Sequence, residues 1–418
     1  MLVPEQRSTV PKAEPANGHG LTKQGTRMTQ ATLVKFEYET VEPVAAPAPA
    51  HRPPPGAFYV PQLDALRFFA FFAVFLHHSL RIMPGPGAHA GRMHPLLLMV
   101  QESGAFGLSL FFVLSSYLIT TLLQAEKRKT GTIALGSFFA RRMLRIWPLY
   151  FLYLGGVALT GLFVPLFHLE TFRLLAMTLL AANWYSILHG MGTPIASHLW
   201  SISIEEQFYA LWPLLFRVLA RPAFLLLSAA IAVFSLAVTG VAAAHHVSSL
   251  ALWLNSGSEF VFFAVGALFA LWHKPIRNHS VRAAFALFAG GVALWFMAEI
   301  VGQVSRRPAH MDPFRATCGY ALVAIACAVL LSAALRFPPA RVPGWLAYLG
   351  KISYGLYVFH AVALNLVPLA LGTELKHLPG SSMLAIFLSS LAMAAFSYRF
   401  IEKPFLRLKS RFEVVRTR

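Results

Sequence analysis

An acid, a guanidinium and an imidazole share one apolar stretch of this chain. Asp64, Arg67 and His78 lie in a run that ends near Ile82. A run of that length crosses a bilayer core of about 30 Å as a helix. Each ionisable group there costs about 2.5–3.5 kcal/mol on insertion scales, so its default reading is functional. At about 100° per residue, the steps from Arg67 to His78 return to within about 20° of the starting direction, about 16 Å further along. Asp64, three residues before Arg67, joins the same stripe. His78 is the candidate general base, because imidazole, with an unperturbed pKa of about 6.5, suits removal of a hydroxyl proton. Asp64 lies about 21 Å along the helix from His78, so it is placed to hold Arg67 rather than to orient the imidazole.

Arg142 and Arg145 share a face at the start of another apolar segment. The plain reading is a pair of snorkelling anchors. The sharper one is a phosphate clamp, since paired guanidiniums grip phosphate oxygens two at a time. Nearness to the Arg67 end of the first segment favours the clamp. Further on, Ser203 and Glu206 have capping-box spacing. A capping box uses one carboxylate, which leaves Glu205 as an extra charge able to meet sugar hydroxyls. Ser353, Tyr357 and His360 fall within about 60° of one another on a helix, a polar stripe that would line a cavity. His77 with His78, His245 with His246, and His89 and His94 invite a metal reading. Adjacent residues diverge by about 100°, however, and no His-x-x-x-His spacing occurs, so no metal is expected. The two cysteines, Cys318 and Cys327, lie about 13 Å apart on one segment, beyond disulfide reach, and read as packing residues. Transfer through a cysteine acyl-enzyme is therefore not expected.

These side chains need membrane helices to position them. Of 418 residues, 57% are hydrophobic and 12% charged, about half the charged fraction of a soluble domain. The fold class is an all-α, polytopic membrane helix bundle. Apolar segments fall near 63–83, 104–124, 138–164, 199–219, 223–243, 250–272, 281–302, 316–335, 345–371 and 382–402. A weaker one near 171–198 reads as a non-spanning or re-entrant excursion. Ten spans with both termini cytoplasmic put about three times as many Lys and Arg inside as outside. Arg128, Arg217, Lys274, Arg277, Arg336 and Arg407 fall inside, while Arg92, Arg306, Arg307 and Lys376 fall outside. Making 171–189 a full span would spoil that bias. The net charge of +18 is explained by the same rule, and with no nucleic-acid-binding motif no nucleic-acid partner is expected. Residues 1–57, polar and rich in Pro and Ala, read as a disordered cytoplasmic tail, with Met28 an alternative start. A transmembrane domain over 58–408 and a basic cytoplasmic tail over 409–418 follow, too short for a soluble domain.

In this order, several blocks resemble the acyltransferase 3 family of integral-membrane O-acyltransferases, which includes O-antigen and exopolysaccharide acetylases. They are Leu63-Asp64-Ala65-Leu66-Arg67 with His78, Gly107 to Ser115, and Phe138 to Pro148. The others are Leu199 to Tyr209, Ile352 to Tyr357, and Tyr398 to Phe405. Any one block is weak, but the ordered set is specific and covers about 58–408. The resemblance implies transfer of an acyl group, usually acetyl from acetyl-CoA, to a hydroxyl of a sugar-bearing acceptor at a bacterial inner membrane. It also implies essential roles for Arg67 and His78 and for Arg142 and Arg145. The positive-inside topology puts that second pair at the cytoplasmic face, so Arg142 and Arg145, with Arg67, are expected to bind the CoA phosphates. Three positions depart from the family pattern. Ser109 stands where many members carry Asp, removing one possible acid. Ser116 replaces a usual Gly, and Phe359-His360-Ala361 replaces a Trp-His-Trp-like run.

The expected catalytic set is His78, Arg67, Asp64, Glu205 and Glu206. Arg142, Arg145 and Arg67 are the donor-binding set, and Trp200, Ser353, Tyr357 and His360 face the acceptor. A tunnel between the two faces, lined by the spans near 63–83, 138–164, 199–219 and 345–371, would bring donor and acceptor together. Two other classes compete. A transporter or flippase also places charges inside a bundle, but no inverted repeat is visible. A lipid-carrier glycosyltransferase would favour acids in the first outer loop, where only Glu102 occurs.

Overall fold

In the computed structural model, residues 59–82, 95–272, 278–305, 309–370 and 379–415 are described. The expected N-terminal tail, Met28, His89, His94, Arg92, Lys274, Arg277, Arg306, Arg307 and Lys376 lie outside them. Among the described residues every regular element is helical.

The first helix, α1 (Pro61–Ile82), is surrounded by protein. It packs on α2 (Pro95–Gly104), α3 (Phe106–Thr130), α13 (Pro313–Arg336), α14 (Gly344–Lys351) and α15 (Ser353–Ala370). Leu63, Leu66, Phe71 and Phe75 are buried among them. That is how its ionisable groups avoid lipid. Close approach needs small residues: a Cβ on Gly107 would lie 2.2 Å from the Ala70 carbonyl oxygen, and one on Gly350 1.8 Å from that of Asp64. The α14 backbone therefore rests directly on the acidic residue of α1.

Helix α3 ends in Lys127, Arg128 and Lys129, with Gly131 at φ 78° as its left-handed cap. The turn into α4 (Leu135–Thr160) is fastened by Glu126, which accepts from the Ala134 amide at 2.7 Å and pairs with Arg141 at 3.1 Å. The excursion holds α5 (Thr171–Thr178), α6 (Ala182–His189) and α7 (Pro194–Ser197). Eight residues of helix reach only about 12 Å, so this segment does not span. Arg173 ties it together, donating to the Gly190 carbonyl at 2.9 Å and lying 4.9 Å over the Tyr185 ring.

The chain continues through α8 (Trp200–Val218), α9 (Arg221–Ala244), α10 (Ser249–Leu254), α11 (Ser256–Trp272) and α12 (Val281–Gly302) to α13. After α15 come α16 (Pro379–Ser397), one π-helical turn (Tyr398–Glu402) and α17 (Lys403–Lys409). Among the described residues eight helices are long and apolar enough to cross a membrane, and α11 is a shorter apolar one. Helix α8 has the length but also carries Glu205, Glu206 and Arg217. With α8 and α11 the expected ten segments are all present.

Three boundaries differ from expectation. The segments 250–272 and 345–371 are each two helices, broken at Asn255 and Ile352, because hydropathy averages over a break that backbone geometry makes. The capping box also fails. Helix α8 starts at Trp200 without a side-chain cap, and Ser203, one turn inside, accepts from the Ala182 amide at 3.2 Å. Finally, the chain beyond α17 is strapped down, since Arg141 donates to the Phe412 carbonyl at 2.6 Å and Lys129 to that of Val414 at 2.9 Å.

Cys327 is buried and Cys318 half-buried on α13, both as free thiols. A Cys318→Ser, Cys327→Ser double variant should keep full activity, measured as product per mole of folded protein.

Candidate active site

A cavity of about 460 Å³ opens between the start of α1, the first half of α4 and the segment that follows α16. Arg67, Arg142 and Arg145 line it, with Lys351 at the end of α14. Lys403, Arg407 and Lys409, from the segment after α16 that packs against α4, line it as well. Among the described residues two carboxylates, Asp64 and Glu402, line it. Asp64 pairs with Arg67 at 3.1 Å, the contact their spacing predicts. The Arg142 guanidinium sits 5.7 Å from the Phe138 ring centroid and 5.5 Å from that of Tyr209. Stacking of this kind is open to a planar guanidinium and poor for an ammonium.

A narrower slot of about 90 Å³ shares Arg67, Leu118, Arg142, Arg145 and Tyr354 with this vestibule. It is a continuation inward. Its walls come from α1, α4, α8 and α15, as expected, and from α3, which was not. Inside it the Ser115 hydroxyl donates to Glu205 Oε1 at 2.5 Å, and the Tyr209 hydroxyl donates to the same oxygen. Ser201 Oγ and the Tyr357 hydroxyl are 2.6 Å apart, and Tyr357 also donates to the His198 carbonyl at 2.9 Å.

Past Tyr357 the imidazoles gather. The His360 ring lies 5.2 Å from His78 and 5.2 Å from His198, and Tyr357 lies 5.5 Å and 5.4 Å from His360 and His198. His360 Nδ1 is 2.5 Å from the Tyr357 carbonyl, which leaves Nε2 on the far side of the ring. His77 is different: its Nδ1 lies 2.7 Å from the Gln101 carbonyl, tying α1 to α2.

The structure therefore brings Arg67, Asp64, Arg142, Arg145, Glu205, Ser353 and Tyr357 to one connected space. His78 and His360 stand just behind Tyr357 and line neither cavity, so the expected tunnel is closed there. Glu205 faces the slot that opens to the cationic vestibule rather than the opposite side. Glu206 turns away, accepting from Trp147 Nε1 at 3.3 Å. Trp200, 5% exposed, packs in the core and lines neither cavity. Ser115, Tyr209, Ser201 and His198 were not singled out. For Ser115, Tyr209 and Ser201 the one sequence signal was membership of the blocks that carry the family resemblance, and His198 directly precedes one of those blocks.

A cation-lined vestibule, a smaller slot with Glu205 in its wall, and imidazoles behind Tyr357 make up the candidate site. A family model described as an acyltransferase domain matches residues 60–401, and the chain belongs to that family. It is 26% identical over 379 residues to peptidoglycan O-acetyltransferase OatA of Listeria monocytogenes, covering 83% of this chain and 56% of that one. It is 25% identical over 377 residues to O-acetyltransferase OatA of Staphylococcus aureus, covering 83% and 57%. The chain thus spans a little over half the length of these curated relatives. No solved structure matches it.

Proposed function

We propose that this protein transfers an acyl group, acetyl first among them, from acyl-CoA to a hydroxyl of a carbohydrate or glycosylated acceptor at a bacterial inner membrane, with both termini cytoplasmic. The observation that carries this reading is the continuity of the cationic vestibule with a slot that ends beside the imidazoles. A nucleotide-bearing thioester has that form, with phosphates at one end and a thin arm at the other. The names of the relatives support an O-linked product and an envelope polysaccharide acceptor.

Arg67, Arg142 and Arg145, which line both cavities, hold the donor's diphosphate where vestibule narrows to slot. Asp64 fixes Arg67. The arm runs between Leu118 and Tyr354 towards Ser115 and Glu205. Tyr357, with Ser353 and Ser201 beside it, closes the inner end, and its side chain turns aside for acyl carbon and acceptor to meet at His78. His78 takes the proton from the acceptor hydroxyl, whose oxygen forms the ester bond to the acyl carbon. The carbon–sulfur bond breaks, and the departing thiolate receives a proton to leave as CoA thiol. His360 keeps the imidazole of His78 in place from α15.

The test is turnover by the purified protein in detergent or vesicles, supplied with acetyl-CoA and oligosaccharide fragments of envelope polysaccharides. Thiol release tied to mass gain of the acceptor is expected. Flux of a sugar substrate across vesicles, with neither transfer nor thioester cleavage, would make the protein a transporter instead.

A further inference from the structure

The donor clamp proposed above uses only part of the vestibule's cations. Lys403, Arg407 and Lys409, in the segment that follows α16, also line it. We propose that this segment is the donor-selecting half of the site, binding the 3′-phosphate of CoA. The inference rests on the reading that the donor is an acyl-CoA.

Three observations carry it. The first is order along the cavity. Arg67, Arg142 and Arg145 line both vestibule and slot, whereas Lys403, Arg407 and Lys409 line the vestibule alone. In an acyl-CoA threaded acyl end first, the diphosphate follows the arm and the ribose 3′-phosphate lies further out. The sequence of anionic groups along the ligand thus matches the sequence of cations along the cavity.

The second is charge. Of the two lining carboxylates, Asp64 is engaged by Arg67 at 3.1 Å and Glu402 accepts from the Ser397 hydroxyl at 3.4 Å. Lys409 has Glu413 at 3.6 Å, so part of its charge is met, but Lys403 and Arg407 add to a surplus the walls do not cancel. Like charges gathered around one space repel unless an anion enters, and a phosphomonoester brings about −1.5 to −2 at neutral pH.

The third is rigidity. Lys403, Leu406, Arg407 and Ser410 all line the cavity, and their spacing is that of one helix face. A π-helical turn at Tyr398–Glu402 leads directly into this face, and such turns are frequent at functional sites. Downstream, Arg141 holds the Phe412 carbonyl and Lys129 that of Val414. The cations are presented from a fixed strap, which lowers the entropy lost on binding. Arg141, spent on this strap and on Glu126, is a positioning residue rather than a ligand contact.

The experiment compares binding of CoA and of dephospho-CoA, which lacks only the 3′-phosphate, to the full-length protein and to a Lys403→Gln, Arg407→Gln variant. Isothermal titration gives the affinities, and thermal unfolding in the same detergent reports on folding. The full-length protein should prefer CoA by about tenfold or more, in line with one or two charge-assisted contacts. In the variant CoA should weaken to the level of dephospho-CoA, whose own affinity should stay the same. Equal loss for both ligands, or no loss for either, would overturn the proposal while leaving the donor reading intact. Failure of the full-length protein to bind either ligand would overturn the donor reading and this proposal together. If the variant is poorly folded, the preference of the unaltered protein decides: equal affinity for the two ligands refutes the proposal without any substitution.

Discussion

Replacing His78 by Ala should slow acyl transfer by about 10²–10⁴-fold, the usual contribution of a positioned general base, while the protein still inserts and folds. A hydroxyl is a poor nucleophile near neutral pH, and among the groups beside the slot His78 is the imidazole that the helical stripe aligns with Arg67. His77 provides the internal control. It neighbours His78 ring to ring at 5.1 Å, yet its Nδ1 is committed to the Gln101 carbonyl on α2. His77→Asn should therefore keep kcat within a few-fold, and its cost should appear as a lower unfolding temperature, because one buried hydrogen bond is worth about 0.5–1.5 kcal/mol. The measurement is kcat for both variants alongside thermal unfolding. Near-normal turnover in His78→Ala would remove the assignment, as would a loss of equal size in His77→Asn.

Arg142→Lys and Arg145→Lys should each raise KM for acyl-CoA by about 10–100-fold, with a smaller effect on kcat. Charge is retained in these variants, so a pure snorkelling role would leave binding unchanged. What they lose is the planar fork and, for Arg142, its place between the Phe138 and Tyr209 rings. Charge-assisted hydrogen bonds of this sort contribute about 1.5–3 kcal/mol each, and an ammonium does not reproduce their two-pronged geometry. If the effect resides in donor binding, it falls on kcat/KM through KM. Unchanged KM and unchanged CoA affinity in both variants would return the pair to the role of membrane anchors.

Much of the frame was legible because the membrane imposes simple rules. A long apolar run has few alternatives to a helix, and intramembrane charges stand out by their cost. The Asp64–Arg67 contact followed from spacing along one helix. The contacts that sequence left hidden are those between distant segments. Ser115 is one of several hydroxyls in an apolar stretch, and nothing local indicates that Glu205, on another helix, accepts its hydrogen bond. The part played by α3 in the slot went unseen for that reason. Ser203 misled because a capping box is a local pattern, while its real partner is an amide of the excursion between α4 and α8. Trp200 misled in the opposite way, since an aromatic beside a cluster of polar residues packs into the core as readily as it lines a cavity. The basic segment that lines the vestibule follows a π-helical turn after α16, and no composition signal announces that turn.

The burial of α1 has a consequence for how the protein is made. Over its most apolar stretch 56% of the residues are buried inside the protein, against 22% for α9. Yet α1 leaves the ribosome well before α13, α14 and α15, which complete its surroundings. During that interval a helix carrying Asp64, Arg67 and two histidines must stay in the bilayer without its permanent neighbours. The ion pair lowers the cost, because it forms within the helix itself and needs no partner. Removing Asp64 alone would strand a guanidinium at the moment of insertion, and the nascent chain would become a client of membrane quality control before any active site existed.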